Sequence, residues 1–170
     1  HRRRAGAALT GSASVGREDR WSDIDLALCA APDADPDAVA ESWTERMYRE
    51  HRAVDHLDVR RGTILYRVFL LDSTLQLDLS FWPTDEFGAT APTFRLLFGE
   101  AVDKPHTPPP DPRELIGTAW LYALHVRSSL ARARVWSAES MLGGMRAATL
   151  ALACLRHDVP AVQARGIDDL

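Results

Sequence analysis

The N-terminal part of the chain contains several short segments in which apolar and polar residues alternate, a pattern typical of β-strands. The alternation predicts strands over 5–11 (AGAALTG), 23–30 (DIDLALCA), 52–59, 64–71 and 75–82. The DST segment at 72–74 predicts a tight hairpin between the last two strands. Apolar residues Val39, Trp43 and Met47 recur at helical spacing and predict a helix from Pro36, after a turn over PDADPD at 32–37.

The pattern changes after position 102. Five prolines over 103–112 predict a stiff linker without helix or sheet. Beyond it, 113–134 and 137–157 have apolar residues at helical spacing, although Gly143 and Gly144 disfavour a helix unless another backbone packs closely there. For 93–102, before the linker, we expect a short helix or turn. The sequence therefore predicts an α+β unit at 1–102 and a helical, bundle-like unit at 113–170.

Composition and charge favour a globular protein with small-molecule partners. Apolar residues make up 46% and charged residues 26%, and the net charge is −4 with a pI of about 5.8. Basic residues cluster only in HRRR at the start, so a nucleic-acid partner is not expected. No apolar stretch is long enough for a membrane span. Cys29 and Cys154 lie in apolar runs, which favours buried thiols in a reducing compartment and a cytoplasmic protein.

Three aspartates on the polar faces of two predicted strands are the candidate metal ligands. Asp23 and Asp25 leave the same face of one strand, about 7 Å apart at the backbone. Asp78 lies on the polar face of the 75–82 strand, and an aspartate within an apolar strand is costly to bury unless something compensates it. If these strands are neighbours, three carboxylates converge. Ligands that are all oxygens suit Mg²⁺ or Mn²⁺ rather than zinc.

A glycine–serine turn precedes this aspartate pair. Gly11 and Ser12 follow a predicted strand and are expected to open a short helix, which offers backbone N–H groups and a hydroxyl to an anion. Ser12 could also cap that helix, and the two roles are compatible. A phosphate-binding turn beside a metal-binding strand is typical of phosphoryl or nucleotidyl transfer.

The segment GSASVGREDRWSDIDLAL (11–28) resembles the signature of the DNA polymerase β-like nucleotidyltransferase superfamily, and most closely its small antibiotic and minimal nucleotidyltransferases. The resemblance implies a mixed β-sheet with flanking helices. It implies that Asp23 and Asp25 bind both metals, that Asp78 completes the metal site nearest the attacking hydroxyl, and that Ser12 contacts the terminal phosphates. ATP or another nucleoside triphosphate would be the donor.

Further residues are predicted to bind the nucleotide or to act as the catalytic base. Many small members have an arginine before the second glycine, where this chain has Val15, so Arg17 is the candidate phosphate ligand in its place. Gly11 and Ser22 complete the nucleotide-binding candidates. In antibiotic-modifying relatives a helical glutamate acts as base on the acceptor hydroxyl, which makes Glu139 a catalytic candidate. Its simpler role is favourable placement near a helix N-terminus. Arg67 would either contact phosphate or pair with a carboxylate.

The predicted function is transfer of a nucleoside monophosphate, AMP from ATP in the first instance, to a hydroxyl of a small molecule such as an aminoglycoside- or lincosamide-like antibiotic. Asp78 or Glu139 would take the proton, and the helices of 113–170 would form the acceptor pocket at the seam between the units. Two alternatives stay open: an antitoxin-type minimal nucleotidyltransferase that adenylylates a protein, and a non-catalytic nucleotide-binding module. No membrane partner is expected, and a homodimer is an option that the sequence leaves open.

Overall fold

The computed structural model describes residues 5–31 and 34–170. The bounds of the strands and long helices in these residues are β1 (Gly6–Thr10), β2 (Ile24–Cys29), α1 (Pro36–Glu50), β3 (Ala53–Arg61), β4 (Ile64–Leu71), β5 (Gln76–Trp82), β6 (Phe94–Phe98), α2 (Pro112–Ala131) and α3 (Val135–Arg156). Short 3₁₀ turns cover Ser12–Val15, Val162–Ala164 and Ile167–Asp169. The HRRR start and the first two residues of the predicted PDADPD turn lie outside the described residues.

The six strands form one mixed sheet in the order β3-β4-β5-β2-β1-β6. β2 and β5 are parallel, and the other neighbouring strands are antiparallel. A mixed sheet with flanking helices followed by a helical pair confirms the predicted α+β class. The strands over 64–71 and 75–82 and the hairpin between them are also confirmed.

Apolar side chains cover both faces of the sheet near its middle. On the α1 side, Met47 of the helix belongs to a core cluster with Leu28, Phe69 and Leu79. The opposite face has a second cluster that includes Ala27 and Trp82. Because side chains alternate along a strand, Asp25 shares a face with Ala27, and Asp78 shares a face with Trp82. The aspartates therefore lie at one end of the second face, beyond its apolar part.

One prediction of secondary structure is wrong. Residues 94–98, expected in a short helix or turn, form edge strand β6 and pair antiparallel with β1. Periodicity cannot separate helix from strand in so short an apolar run, and pairing with β1 decides the outcome. The strand is followed by Gly99, whose φ of +88° favours glycine. The backbone of Gly6 also lies so close that a Cβ added to Gly99 would be 2.6 Å from the Gly6 Cα atom.

The chain divides into two compact units between Thr107 and Pro108. In the second unit α2 packs on α3. Gly144 of α3 lies against the ring of Tyr122, where an added Cβ would be 2.6 Å from a ring carbon, so a side chain rather than a backbone explains this glycine. α3 begins two residues before the predicted start at 137. None of the helices in residues 5–31 and 34–170 has an apolar stretch that could cross a bilayer, and Cys29 and Cys154 are buried free thiols.

Candidate metal centre

The parallel pairing of β2 with β5 brings the three predicted carboxylates together. Asp25 lies opposite Asp78 in the register of the two strands, and Asp23 immediately precedes β2. One carboxylate oxygen from each of Asp23, Asp25 and Asp78 can be chosen so that all three atoms lie within 4.8 Å of one another. Three acidic oxygens at this separation match the donor set that a divalent cation requires.

Burial and the charge of Asp23 make the ionised form of Asp78 less favourable in the absence of a cation. Asp78 is partly buried. Burial raises the pKa of the Asp78 carboxyl, the negative charge of Asp23 raises it further, and a hydrogen bond from Gln76 opposes both effects. A bound cation would reverse this balance, because an opposite charge favours the ionised carboxylate. The residues present therefore fit a divalent metal ion.

Gln76 is a site residue that sequence reasoning left without a role. Its Nε2 donates hydrogen bonds to Oδ1 of Asp78 at 3.0 Å and to Oδ2 of Asp23 at 3.4 Å. The available signal was its position two residues before Asp78, on the same face of the strand. Gln76 joins two carboxylates that would otherwise only repel each other.

Gly11 lies directly against the aspartates. Its backbone has φ +61° and ψ −152°, in a region open to glycine but not to other residues. An added Cβ would lie 2.0 Å from Oδ2 of Asp25. The glycine is therefore required both by its backbone conformation and by contact with a candidate metal ligand.

Ser12 begins the 3₁₀ turn that follows. Its Oγ atom is buried and has no hydrogen-bond partner among the described residues. The predicted capping role does not apply, because Gly11 occupies the cap position and no side chain caps the turn. Ser14 instead stabilises the turn by donating from its Oγ to the Gly11 carbonyl at 2.7 Å. A buried unpaired hydroxyl is unfavourable unless a ligand completes it.

Arg17 and Ser22 are the other two candidates for nucleotide binding, and both make hydrogen bonds within turns. Arg17 is exposed after Gly16, and its backbone N–H donates to the Ser12 carbonyl at 3.0 Å. Ser22 closes a turn with Asp19: its Oγ accepts from the Asp19 N–H at 2.9 Å, and its own N–H donates to the Asp19 carbonyl at 3.1 Å. This turn fixes the backbone immediately before Asp23.

Glu139 belongs to the second unit, where it is exposed on α3. Because α3 begins at Val135, Glu139 lies beyond the first turn. The predicted stabilisation at the helix N-terminus is weak there, since it falls off within one turn. Its assignment as a base stays a prediction.

Arg67 lies on the opposite face from the carboxylate cluster. It pairs in register with Leu79 of the core face rather than with Asp78. Its buried guanidinium donates two hydrogen bonds to Asp58, each of 2.7 Å, and others to Glu41 at 3.0 Å and to Thr44. Of the two roles left open by the sequence, pairing with carboxylates is the one observed. These hydrogen bonds lower the pKa of Asp58 and raise the pKa of Arg67.

Comparison with models of protein families and with curated proteins gave no match. Among solved structures, the Cid1 poly(U) polymerase with Mg and 3′-dATP bound matches 46% of this chain and 24% of that chain, at 22% identity and a TM-score of 0.38. A cytoplasmic RNA terminal U-transferase matches 45% of this chain and 22% of that chain, at 23% identity and a TM-score of 0.34. The chain thus spans less than a quarter of the length of these proteins. A likeness at this level does not by itself assign an activity to the chain.

Proposed function

We propose that this protein is a metal-dependent nucleotidyltransferase of the DNA polymerase β-like type. It transfers a nucleoside monophosphate, AMP from ATP in the first instance, to a hydroxyl of a small molecule. The observation that supports this proposal is the approach of Asp23, Asp25 and Asp78 to within 4.8 Å beside the Gly11–Ser12 turn.

The three carboxylates would hold Mg²⁺ or Mn²⁺, with Asp23 and Asp25 shared between two ions and Asp78 a ligand of one. Cations bound there would neutralise negative charge on the phosphates and would lower the pKa of the acceptor hydroxyl. The oxygen-only donor set favours these hard divalent cations over zinc.

The reaction is a displacement at the α-phosphorus of the triphosphate. The acceptor oxygen forms the new P–O bond, the bond between the α-phosphorus and the bridging oxygen breaks, and pyrophosphate leaves with that electron pair. Asp78 accepts the proton of the acceptor hydroxyl. The Ser12 hydroxyl donates to an oxygen of the terminal phosphates, which satisfies a buried group that has no hydrogen-bond partner among the residues the structure describes.

The charge of the protein bears on the class of acceptor. A net charge of −4 favours a cationic small molecule over a polyanion, which supports an aminoglycoside- or lincosamide-like compound. A protein acceptor and a non-catalytic binding module are the competing outcomes of the test.

The test uses ATP labelled at the α-phosphate, Mg²⁺ and a panel of aminoglycosides and lincosamides. We expect label on a small molecule, loss of transfer when EDTA removes the metal, and no transfer by Asp25→Asn. Asp85→Asn is the matched control, because Asp85 is an exposed aspartate in the turn after the opposite end of β5. Label on a protein would favour the antitoxin type. Nucleotide binding without any transfer would favour the non-catalytic module, and full activity of Asp25→Asn would disprove the metal assignment.

A further inference from the structure

An open pocket of about 490 Å³ lies beside the carboxylate cluster. Two segments form its walls, residues 20–23 before β2 and residues 73–76 at the β4–β5 turn. It includes Asp23 of the cluster and Gln76, whose amide bonds both Asp23 and Asp78. The pocket therefore opens next to the candidate metal centre.

The sheet order places the Gly11–Ser12 turn on the β1 side of Asp25, whereas the pocket lies between the segments that lead into β2 and β5. β2 lies between β1, which leads into the turn, and β5, whose first residues border the pocket. In an in-line displacement the attacking oxygen and the leaving group lie on opposite sides of the phosphorus. If the turn binds the terminal phosphates, the acceptor enters from the β5 side. That is the side of the pocket.

The pocket combines one large aromatic ring with short polar side chains. Trp21 is 79% exposed, and the guanidinium of Arg20 lies 4.3 Å from the centroid of its ring. Beside the charged groups of Arg20 and Asp23, the polar lining consists of the hydroxyls of Ser22, Ser73 and Thr74 and the amide of Gln76. An exposed tryptophan offers a flat apolar surface for the C–H face of a saturated ring, while hydroxyls and amides bond the hydroxyls at the ring edge.

We infer that this pocket binds the acceptor, and that the acceptor is a small, saturated ring compound with several hydroxyls that stacks on Trp21. This inference rests on the proposed function, since it assigns the acceptor side of the same site. The pocket volume lies in the range of small-molecule sites, about 300–1,000 Å³. A free small molecule is favoured over the terminal ribose of an RNA, because the protein has a net charge of −4.

In this arrangement one ring hydroxyl attacks the α-phosphorus. Its oxygen forms the phosphodiester bond, its proton passes to a carboxylate of the site, and pyrophosphate leaves on the side of Ser12. Trp21 is a positioning residue for the acceptor and has no part in the proton transfer. Its loss should therefore weaken acceptor binding without changing the binding of ATP.

The test compares wild type with Trp21→Ala, Trp21→Phe and Phe98→Ala. Phe98 is the matched control, because it is an aromatic residue of the same unit, 59% exposed, on the edge strand β6. Steady-state transfer from labelled ATP is measured with kanamycin, lincomycin and a short oligoribonucleotide as acceptors. We expect Trp21→Ala to raise the KM of the small acceptor about tenfold with the KM of ATP unchanged. Trp21→Phe should retain most of the affinity, and Phe98→Ala should behave as wild type.

Three kinetic results would overturn the inference while the proposed function survives. They are unchanged acceptor kinetics in Trp21→Ala, a rise confined to the KM of ATP, and transfer to a small acceptor other than kanamycin and lincomycin that does not depend on Trp21. Labelling of the oligoribonucleotide alone would overturn both the inference and the small-molecule acceptor of the proposed function. Calorimetry with kanamycin and lincomycin, in Mg²⁺ and a non-hydrolysable ATP analogue, tests the pocket without turnover. Binding to wild type that is lost in Trp21→Ala, without any transfer, would support the pocket and reject the proposed activity. Binding of neither compound to wild type would overturn the pocket assignment.

Discussion

Oδ2 of Asp25 occupies the position where a side chain on Gly11 would begin, because a Cβ built on that glycine would lie 2.0 Å from this oxygen. The contact joins the two halves of the proposed site, the phosphate-binding turn and the metal-binding strand. A change in the turn should therefore move a metal ligand.

Gly11→Ala should abolish transfer as well as destabilise the protein. The new methyl group would strain a backbone with φ of +61° and displace Asp25. Gly62→Ala is the matched control, because Gly62 has φ of +59° and nothing within 4 Å of its added Cβ. Gly62→Ala should lose about 1–2 kcal/mol in the free energy of unfolding from strain in the backbone. Gly11→Ala should lose more, because its backbone lies in a region open only to glycine and its new methyl group meets Asp25. Only Gly11→Ala should also lose Mn²⁺ binding, and equal Mn²⁺ affinity in the two variants would show that the contact is unimportant.

Ser12→Ala should affect nucleotide binding more than stability. Its Oγ has no hydrogen-bond partner among the described residues, so its removal costs the folded chain little. In the proposed complex it donates to a phosphate oxygen, and loss of a hydrogen bond to a charged group should raise the Kd of ATP about tenfold or more. Isothermal calorimetry with Mg²⁺ and a non-hydrolysable ATP analogue measures this affinity.

Ser14→Ala is expected to show the opposite behaviour. It removes the 2.7 Å bond from Ser14 Oγ to the Gly11 carbonyl and should cost about 1 kcal/mol of stability. Its effect on ATP affinity should be smaller than that of Ser12→Ala. If Ser12→Ala binds ATP as tightly as wild type does, the phosphate role of Ser12 is wrong.

Asp58→Asn should make stability less dependent on pH under acidic conditions. Hydrogen bonds from Arg67 are the main reason why the pKa of Asp58 is lowered from 3.8. In the unfolded chain the carboxyl recovers its ordinary pKa, so as the pH falls the unfolded state takes up this proton first. The stabilisation is therefore present above about pH 4 and is lost as the pH falls through the folded pKa.

Urea unfolding at about pH 6 and about pH 3 measures this contribution. The Asp58 side chain is 41% exposed, so solvent screens the pair and we expect a loss of only about 1 kcal/mol at the higher pH. At the lower pH the difference from wild type should shrink. A constant difference at both pH values, or the same pattern in Asp85→Asn, would contradict the assigned cause.

Local pattern predicted the strands but not their neighbours. Alternation placed Asp25 and Asp78 on the polar faces of β2 and β5, yet the parallel pairing that makes them opposite each other depends on contacts across 53 positions of sequence. The same dependence on pairing explains the wrong prediction for β6. Single-strand periodicity carries no information about which strands lie side by side.

Contacts between side chains were predicted least well. The sequence predicts that Gly11 binds phosphate, whereas the contact that the structure shows is with the carboxylate of Asp25. Gln76 and Trp21 were given no role, because an amide beside an aspartate and an exposed tryptophan before a strand have no distinctive spacing. The pairing of Arg67 with Asp58 depends on the register of β3 and β4, which places the two residues opposite each other.

The central claim is that Asp23, Asp25 and Asp78 form a divalent cation site, and Mn²⁺ binding followed by electron paramagnetic resonance tests it most directly. The measurement needs neither an acceptor nor turnover. Wild type and Asp85→Asn should bind Mn²⁺ saturably in the presence of a non-hydrolysable ATP analogue, and Asp25→Asn and Asp78→Asn should bind it at least tenfold more weakly, by about 1.4 kcal/mol. Mn²⁺ binding of equal strength in all four proteins would contradict the account.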